Sequence, residues 1–252
     1  MSTTFTVSRD QIIQLALRKL GVLDLGNTPD SETVADAALN LNLLIKQMST
    51  EGLKLWKVQE LVLPVTANTT TYNLGSGGVN VYDSFDTSFS TPITDKPLKL
   101  IQAWYRNTTA TPTIDTPLTL FSKQEYNMLG SKFSTGVANS IFYDIKNTYG
   151  TVYVYLTPDS YSQSNLNLHM VMQMPLQDLN QAQAIPDFPN EWMNCLVWNL
   201  ADQLAIQYSV PQNHRVEIAK RAAMYMEQMI SWDVESYSTF FQPDLRFGVL
   251  SK

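Results

Sequence analysis

The sequence predicts an α+β fold: a helical bundle made from an N-terminal and a C-terminal helical hairpin, with an antiparallel β-rich domain, sandwich- or barrel-like, inserted between them. Three observations predict it. Apolar residues recur every three or four positions before residue 56 and again after residue 189. From Trp56 to Met174 the recurrence drops to two. Turn residues punctuate that middle stretch at short intervals. The expected boundaries are 1–56 with 186–239 for the helical domain, 57–185 for the β-rich domain, and 240–252 for a C-terminal docking arm.

The first helix opens at Ser8-Arg-Asp-Gln11, a capping box in which Ser8 and Gln11 satisfy free backbone N–H groups reciprocally. Ile12, Ala16 and Leu20 line one face beside Ile13 and Leu17, and Gly21 supplies the stop. A loop with Gly26, Asn27 and Pro29 leads to a second helix over about 31–51. There Val34, Ala37, Leu41, Leu44 and Met48 form the apolar stripe, and Gly52 ends it. Both stripes need a partner.

After Trp56, Leu61, Leu63 and Val65 point one way while Glu60, Val62 and Pro64 point the other. Tyr72 and Leu74 repeat the alternation. Further strands are expected over 98–106, 118–121, 141–145, 152–156 and 166–174, the run Thr151-Val-Tyr-Val-Tyr-Leu156 being β-branched and aromatic throughout. Gly75-Ser-Gly-Gly78 reads as a flexible hairpin tip. A second capping box, Ser122-Lys-Gln-Glu125, announces a helix that interrupts the strands. Helix returns after Pro189, with Met193, Val197, Leu200 and Leu204 as its stripe. Past Pro211 a last helix runs over about 213–237, with Val216, Ala219, Ala223, Met226 and Ile230. The closing segment Phe240-Phe-Gln-Pro-Asp-Leu-Arg-Phe-Gly-Val-Leu250 is apolar without a period. Such a segment calls for a docking surface.

Hydrophobic residues are 44% of the 252 and charged residues only 16%, below the roughly 25% usual in soluble proteins. A globular core is therefore available, and the weakly charged, polar surface suits packing against further copies. The net charge is −6 and the 17 basic residues are scattered, which argues against gripping nucleic acid through its phosphates. The single cysteine, Cys195, lies in an apolar helical pattern and reads as a small buried hydrophobe. The N-terminus is polar and lacks the apolar stretch of a signal peptide, and no run approaches the roughly 20 residues of a membrane span. Cytoplasmic assembly is the expectation.

Chemistry is sparse. His169 and His214 stand alone, outside any metal-ligand spacing, and read as structural or surface histidines. Neither a nucleophile elbow nor a phosphate loop occurs, and Gly75–Gly78 leads into a strand rather than a helix N-terminus. Asp83, Asp86, Asp95, Asp144 and Asp159 could pair as in a glycosidase, but aspartate is common in turns. Trp104, Tyr105, Tyr143, Tyr153 and Tyr155 read as sheet packing before sugar-stacking platforms. No catalytic residue, metal site or cofactor is expected.

An ordered set of motifs runs along the chain: Ile12-Ile-Gln-Leu-Ala-Leu-Arg-Lys-Leu-Gly-Val22, Gly52 then Trp56, Thr71-Tyr-Asn-Leu-Gly75, Lys96-Pro-Leu98, Phe121-Ser-Lys-Gln-Glu-Tyr126, Ile141-Phe-Tyr-Asp144, Leu156-Thr-Pro158, Ile185-Pro-Asp-Phe-Pro-Asn-Glu-Trp192 and Asn199-Leu-Ala-Asp-Gln-Leu-Ala205. Over about residues 8–235 this order and spacing resembles the head-to-tail adaptors of short-tailed bacteriophages, also called tail accessory factors or packaged-DNA stabilisation proteins. Smaller members are mostly helical, so the large β-rich insertion departs from the pattern.

The resemblance implies a homo-oligomeric ring, commonly of twelve copies, beneath the portal protein in the virion neck. It would extend the DNA channel, help retain packaged DNA without sequence-specific binding, and dock the tail nozzle and tail fibre or spike proteins. It also implies a C-terminal segment that orders on the portal. Phe240, Phe241, Leu245, Phe247 and Leu250 are therefore the expected anchors on the portal or a neighbouring subunit. The competing readings are a carbohydrate-binding β module, favoured by the Thr- and Asn-rich, aromatic middle, and a virion-borne cell-wall hydrolase.

Overall fold

The computed structural model of the chain describes residues 5–50, 55–86, 88–89 and 91–233. Over these residues the fold is α+β, with six α-helices and two sheets. Helix α1 (Arg9–Leu20) starts where the Ser8 N–H donates to Gln11 Oε1 at 2.9 Å, and stops at Gly21, whose φ of 75° suits a residue without Cβ. Helix α2 (Ser31–Thr50) buries Ala37, Leu41, Leu44 and Met48, the expected stripe, and half-buries Val34. A 3₁₀ turn at Leu55–Lys57 then hands the chain to the strands.

The middle runs β1 (Val58–Pro64), β2 (Thr71–Leu74), β3 (Val81–Asp83), β4 (Pro92–Ile93), β5 (Lys99–Asn107), β6 (Ile114–Pro117), β7 (Thr119–Leu120), α3 (Lys123–Met128), β8 (Ser140–Ile145), β9 (Gly150–Tyr155), α4 (Ser160–Asn165) and β10 (Leu166–Gln173). The larger sheet has the order β4-β3-β1-β10-β5-β6 and is antiparallel throughout. The smaller has the order β2-β9-β8-β7, with β7 parallel to β8. Alternation places Leu61, Leu63, Tyr105, Leu168 and Met170 of the larger sheet in one apolar cluster with Tyr72, Ile141, Val152 and Val154 of the smaller.

The barrel form of the expectation is corrected, because the sheets do not close. β4 and β6 form the edges of the larger sheet among the described residues, and the chain crosses at Leu118 instead. The Leu118 N–H donates to Ala103 O of the larger sheet at 2.9 Å. The next N–H, from Thr119, donates to Asn139 O beside the smaller sheet at 3.0 Å. The hairpin tip expected at Gly75–Gly78 is corrected too. It joins β2 to β3, which lie in different sheets, so it is a crossover. Gly78 fits there because a Cβ would meet Asn73 O at 2.1 Å.

After β10, Leu176, Leu179 and Phe188 join the second apolar cluster, which belongs to the helices. A 3₁₀ turn at Asn190–Trp192 opens α5 (Met193–Gln207), followed by α6 (Gln212–Trp232). α5 packs against α1, α2 and α6 and carries Leu196, Leu200 and Leu204 at 0% exposure. Cys195 is buried here, as a small hydrophobe. Trp192, also at 0%, packs its ring tilted against Trp56 at 4.9 Å and Phe188 at 6.1 Å. Such ring pairs contribute about 0.5–1.5 kcal/mol beyond area burial.

Candidate interaction surfaces

The expected anchors Phe240, Phe241, Leu245, Phe247 and Leu250 lie outside the described residues. What the structure places on view instead are three surfaces in the helices and sheets.

The first belongs to α6. Its expected stripe was Val216, Ala219, Ala223, Met226 and Ile230, and the structure corrects that. The core takes Ile218 and Ala222, with Tyr225, Met226 and Met229 partly covered, while Val216, Ala219, Ala223 and Ile230 face solvent. α6 carries apolar residues on two sides, and one side is claimed by α5: Cys195 Sγ lies 3.9 Å from Met226 Sδ, and Asn199 Nδ2 donates to Ala222 O at 3.4 Å. On α2, Leu39 and Leu43 are likewise uncovered, at 61% and 59% exposure. Sequence reasoning missed that second stripe, although Ala35, Leu39 and Leu43 recur every four residues. It followed the longer stripe alone.

The second surface is the outer face of the larger sheet. Alternation that sends Leu168 and Met170 inward sends His169 outward, beside Glu60 of β1 and Trp104 of β5. His169 Nδ1 lies 2.7 Å from Glu60 Oε1, and Trp104 stacks on the imidazole at 5.6 Å and 17°. Burial pushes the His169 pKa below its ordinary value, opposed by the Glu60 hydrogen bond. Further along, Arg106 donates twice to Asp115, at 2.8 and 2.7 Å, and these bonds hold the Asp115 carboxyl below the usual carboxylate range. With one ring nitrogen taken by Glu60 and one ring face by Trp104, His169 braces three strands.

The third surface is a recess of about 360 Å³ where α3 lies over the smaller sheet. Tyr126, Phe142 and Tyr153 wall it with mutual ring separations of 5.1 to 5.6 Å. Lys132 Nζ sits 4.9 Å from the Tyr126 centroid, and Lys123 pairs with Asp144 at 3.4 Å on the rim. α3 is held there by Ser122, whose Oγ accepts from the Glu125 N–H at 3.3 Å while Glu125 Oε2 accepts from the Ser122 N–H at 2.7 Å. A wall of rings with charges at its rim is suited to stacking a planar or sugar ring.

Of the aromatics expected to pack within the sheets, Tyr105 is buried between them, Trp104 lies on the outer face and Tyr153 faces the recess. His214 is exposed, with Nε2 at 3.0 Å from Lys19 O at the end of α1. Among the described residues no group of three or more His, Cys, Asp or Glu stands close enough to hold a metal, and no helix is long and apolar enough to cross a membrane. No protein-family model matches the chain, and no curated protein matches it.

Proposed function

We propose that the chain is a structural virion protein, a ring-forming head-to-tail adaptor of a short-tailed bacteriophage. In this reading it joins the portal to the tail nozzle and fibres in the neck, extends the DNA channel, and helps retain packaged DNA until ejection. The two helical hairpins form the bundle that builds the ring, commonly of twelve copies, and the β-rich domain is the insertion that meets tail components. It works without catalysis or cofactor, and assembles in the host cytoplasm.

The observation that carries the reading is the pair of uncovered apolar stripes, on α2 and α6, one on each helical hairpin. The acidic balance supports it as well, since a channel wall must let DNA pass without binding it. Burying each exposed Leu, Val or Ile is worth about 1.5–3 kcal/mol. A few such contacts suffice once multiplied around a closed ring.

The test is the mass of the full chain, alone and mixed with the portal ring of the same virion. A closed assembly matching the portal's stoichiometry is the expected result. A chain truncated after Thr239 should lose that affinity, because the expected anchors Phe240 to Leu250 go with it. Unchanged affinity of the truncated chain would remove the arm's assigned role. Absence of any association by the full chain would end the adaptor reading.

One observation favours a second reading, carbohydrate binding, namely the recess walled by Tyr126, Phe142 and Tyr153. Specific glycan binding by the free chain, lost on Tyr153→Ala, would establish it in place of the adaptor.

A further inference from the structure

The two uncovered stripes differ from each other, and they lie on helices that flank the rest. α5 packs against α1, α2 and α6, and α1 sits against α2, so α2 and α6 approach α5 from different sides. They also run in the same direction. The chain leaving α2 reaches Trp56, which packs on Trp192 at the head of α5, and the C-terminal half of α6 lies along the same end, Tyr225 beside Trp198 and Met226 beside Cys195.

Their chemistry is matched. α2 shows the exposed acids Glu32 and Asp36 followed by the large apolar Leu39 and Leu43. α6 shows the exposed bases Arg215 and Lys220 around the small Ala219 and Ala223, which leave a shallow notch one turn apart. Among the described residues none of these four charges makes an ion pair, whereas the neighbouring Arg221 is taken by Glu217 at 2.7 Å and Lys46 by Asp178 at 2.5 Å. With the two helices parallel, seating Leu39 and Leu43 over Ala219 and Ala223 puts Arg215 one residue from the level of Asp36 and three from that of Glu32, and Lys220 one turn beyond Asp36, offsets of about 1.5–6 Å that the long basic side chains span. Acid meets base and large meets small in the same register.

We infer that the outer face of α2 in one copy of this chain docks against the outer face of α6 in the next, a head-to-tail contact that repeats around a ring. Because the two faces are different surfaces, the contact is heterologous, and each copy keeps one free face for a further neighbour. This rests on the ring reading above and adds which surfaces meet.

Cysteine pairing tests it on the full chain, free and on the portal ring. A chain carrying both Leu43→Cys and Ala223→Cys should give, on oxidation, a ladder of covalent multimers that ends in a closed ring. A mixture of chains carrying one substitution each should stop at the dimer. Arg215→Glu should reduce the ladder at least tenfold, and Asp36→Lys in the same chain should restore it, a rescue that loss of folding could not give. All four positions are exposed, and an unchanged melting curve confirms each variant's fold. Homodimers from Leu43→Cys alone would overturn the inference in favour of an isologous contact. A cross-link within one chain, between Ala223→Cys and Phe241→Cys, would overturn it in favour of the chain's own C-terminal segment. Rings that assemble on the portal with no ladder would overturn it while leaving the adaptor reading intact, and a ladder without portal association would do the reverse.

Discussion

At the scale of one residue, His169 shows how a side chain that looks chemical is used as structure. It is 5% exposed, held by Glu60 on an edge and Trp104 on a face. Burial depresses its pKa, and the Glu60 bond offsets that only in part. Between the depressed folded value and the unfolded value of about 6.5, the unfolded chain binds the proton more readily. Stability therefore rises with pH across that window and is lost as pH falls through the folded value. The urea midpoint of the wild type should fall between about pH 7 and about pH 5, and His169→Gln should flatten that slope whatever it does to stability at neutral pH. An equal slope in the variant would assign the dependence to other groups.

At the scale of the element, the short helix α3 is kept by its cap rather than by a core, since none of its residues is buried. Ser122→Ala removes the acceptor for the Glu125 N–H, worth about 1 kcal/mol. Because α3 opens locally, the expected result is about fivefold faster amide exchange at Glu125 and Tyr126, with the global urea midpoint almost unmoved. That helix was legible in the sequence because Ser122 and Glu125 act through three residues of chain. So was α1, through Ser8, Gln11 and Gly21. The strands from β5 to β10 were legible where alternation ran long, as in Leu166–Gln173. β4 and β6 were not, because neither Pro92–Ile93 nor Ile114–Pro117 carries an alternating apolar pair. α6 was legible as a helix but not as a face: Val216, Ala219 and Ala223 are as apolar as the Ile218 and Ala222 side, and only the presence of α5 decides which is covered. The recess escaped for a related reason. Tyr126 and Tyr153 are 27 positions apart, and their meeting depends on how α3 lies over β8 and β9.

At the scale of the whole molecule, the described residues hold two apolar clusters, one among the helices and one between the sheets. Few groups tie them, chiefly the ion pair of Lys57 with Asp187, the Trp56 indole N–H on Asp187 O, and the Met174 N–H on Lys57 O at 2.8 Å. Ile45 lies at 0% exposure in the first cluster and Ile141 at 1% in the second. Ile45→Val and Ile141→Val should each cost about 0.5–1.5 kcal/mol. Their double variant should lose the sum to within about 0.5 kcal/mol, by denaturant titration, because they share no partner. A coupling larger than that would mean that one cluster senses the packing of the other.

The way the chain enters and leaves the sheets carries a consequence for descent. β1 begins at Val58 and β10 ends at Gln173, and these two residues are cross-strand partners. Everything between them is therefore suspended from two neighbouring chain positions, about 5 Å apart. From the side of the helices, a sheet of any size looks the same, provided its first and last strands pair. A lineage could exchange this segment for a shorter loop or a different module without repacking Trp192 or α5. Comparison of relatives that share the helices should accordingly find length variation concentrated between residues 58 and 173.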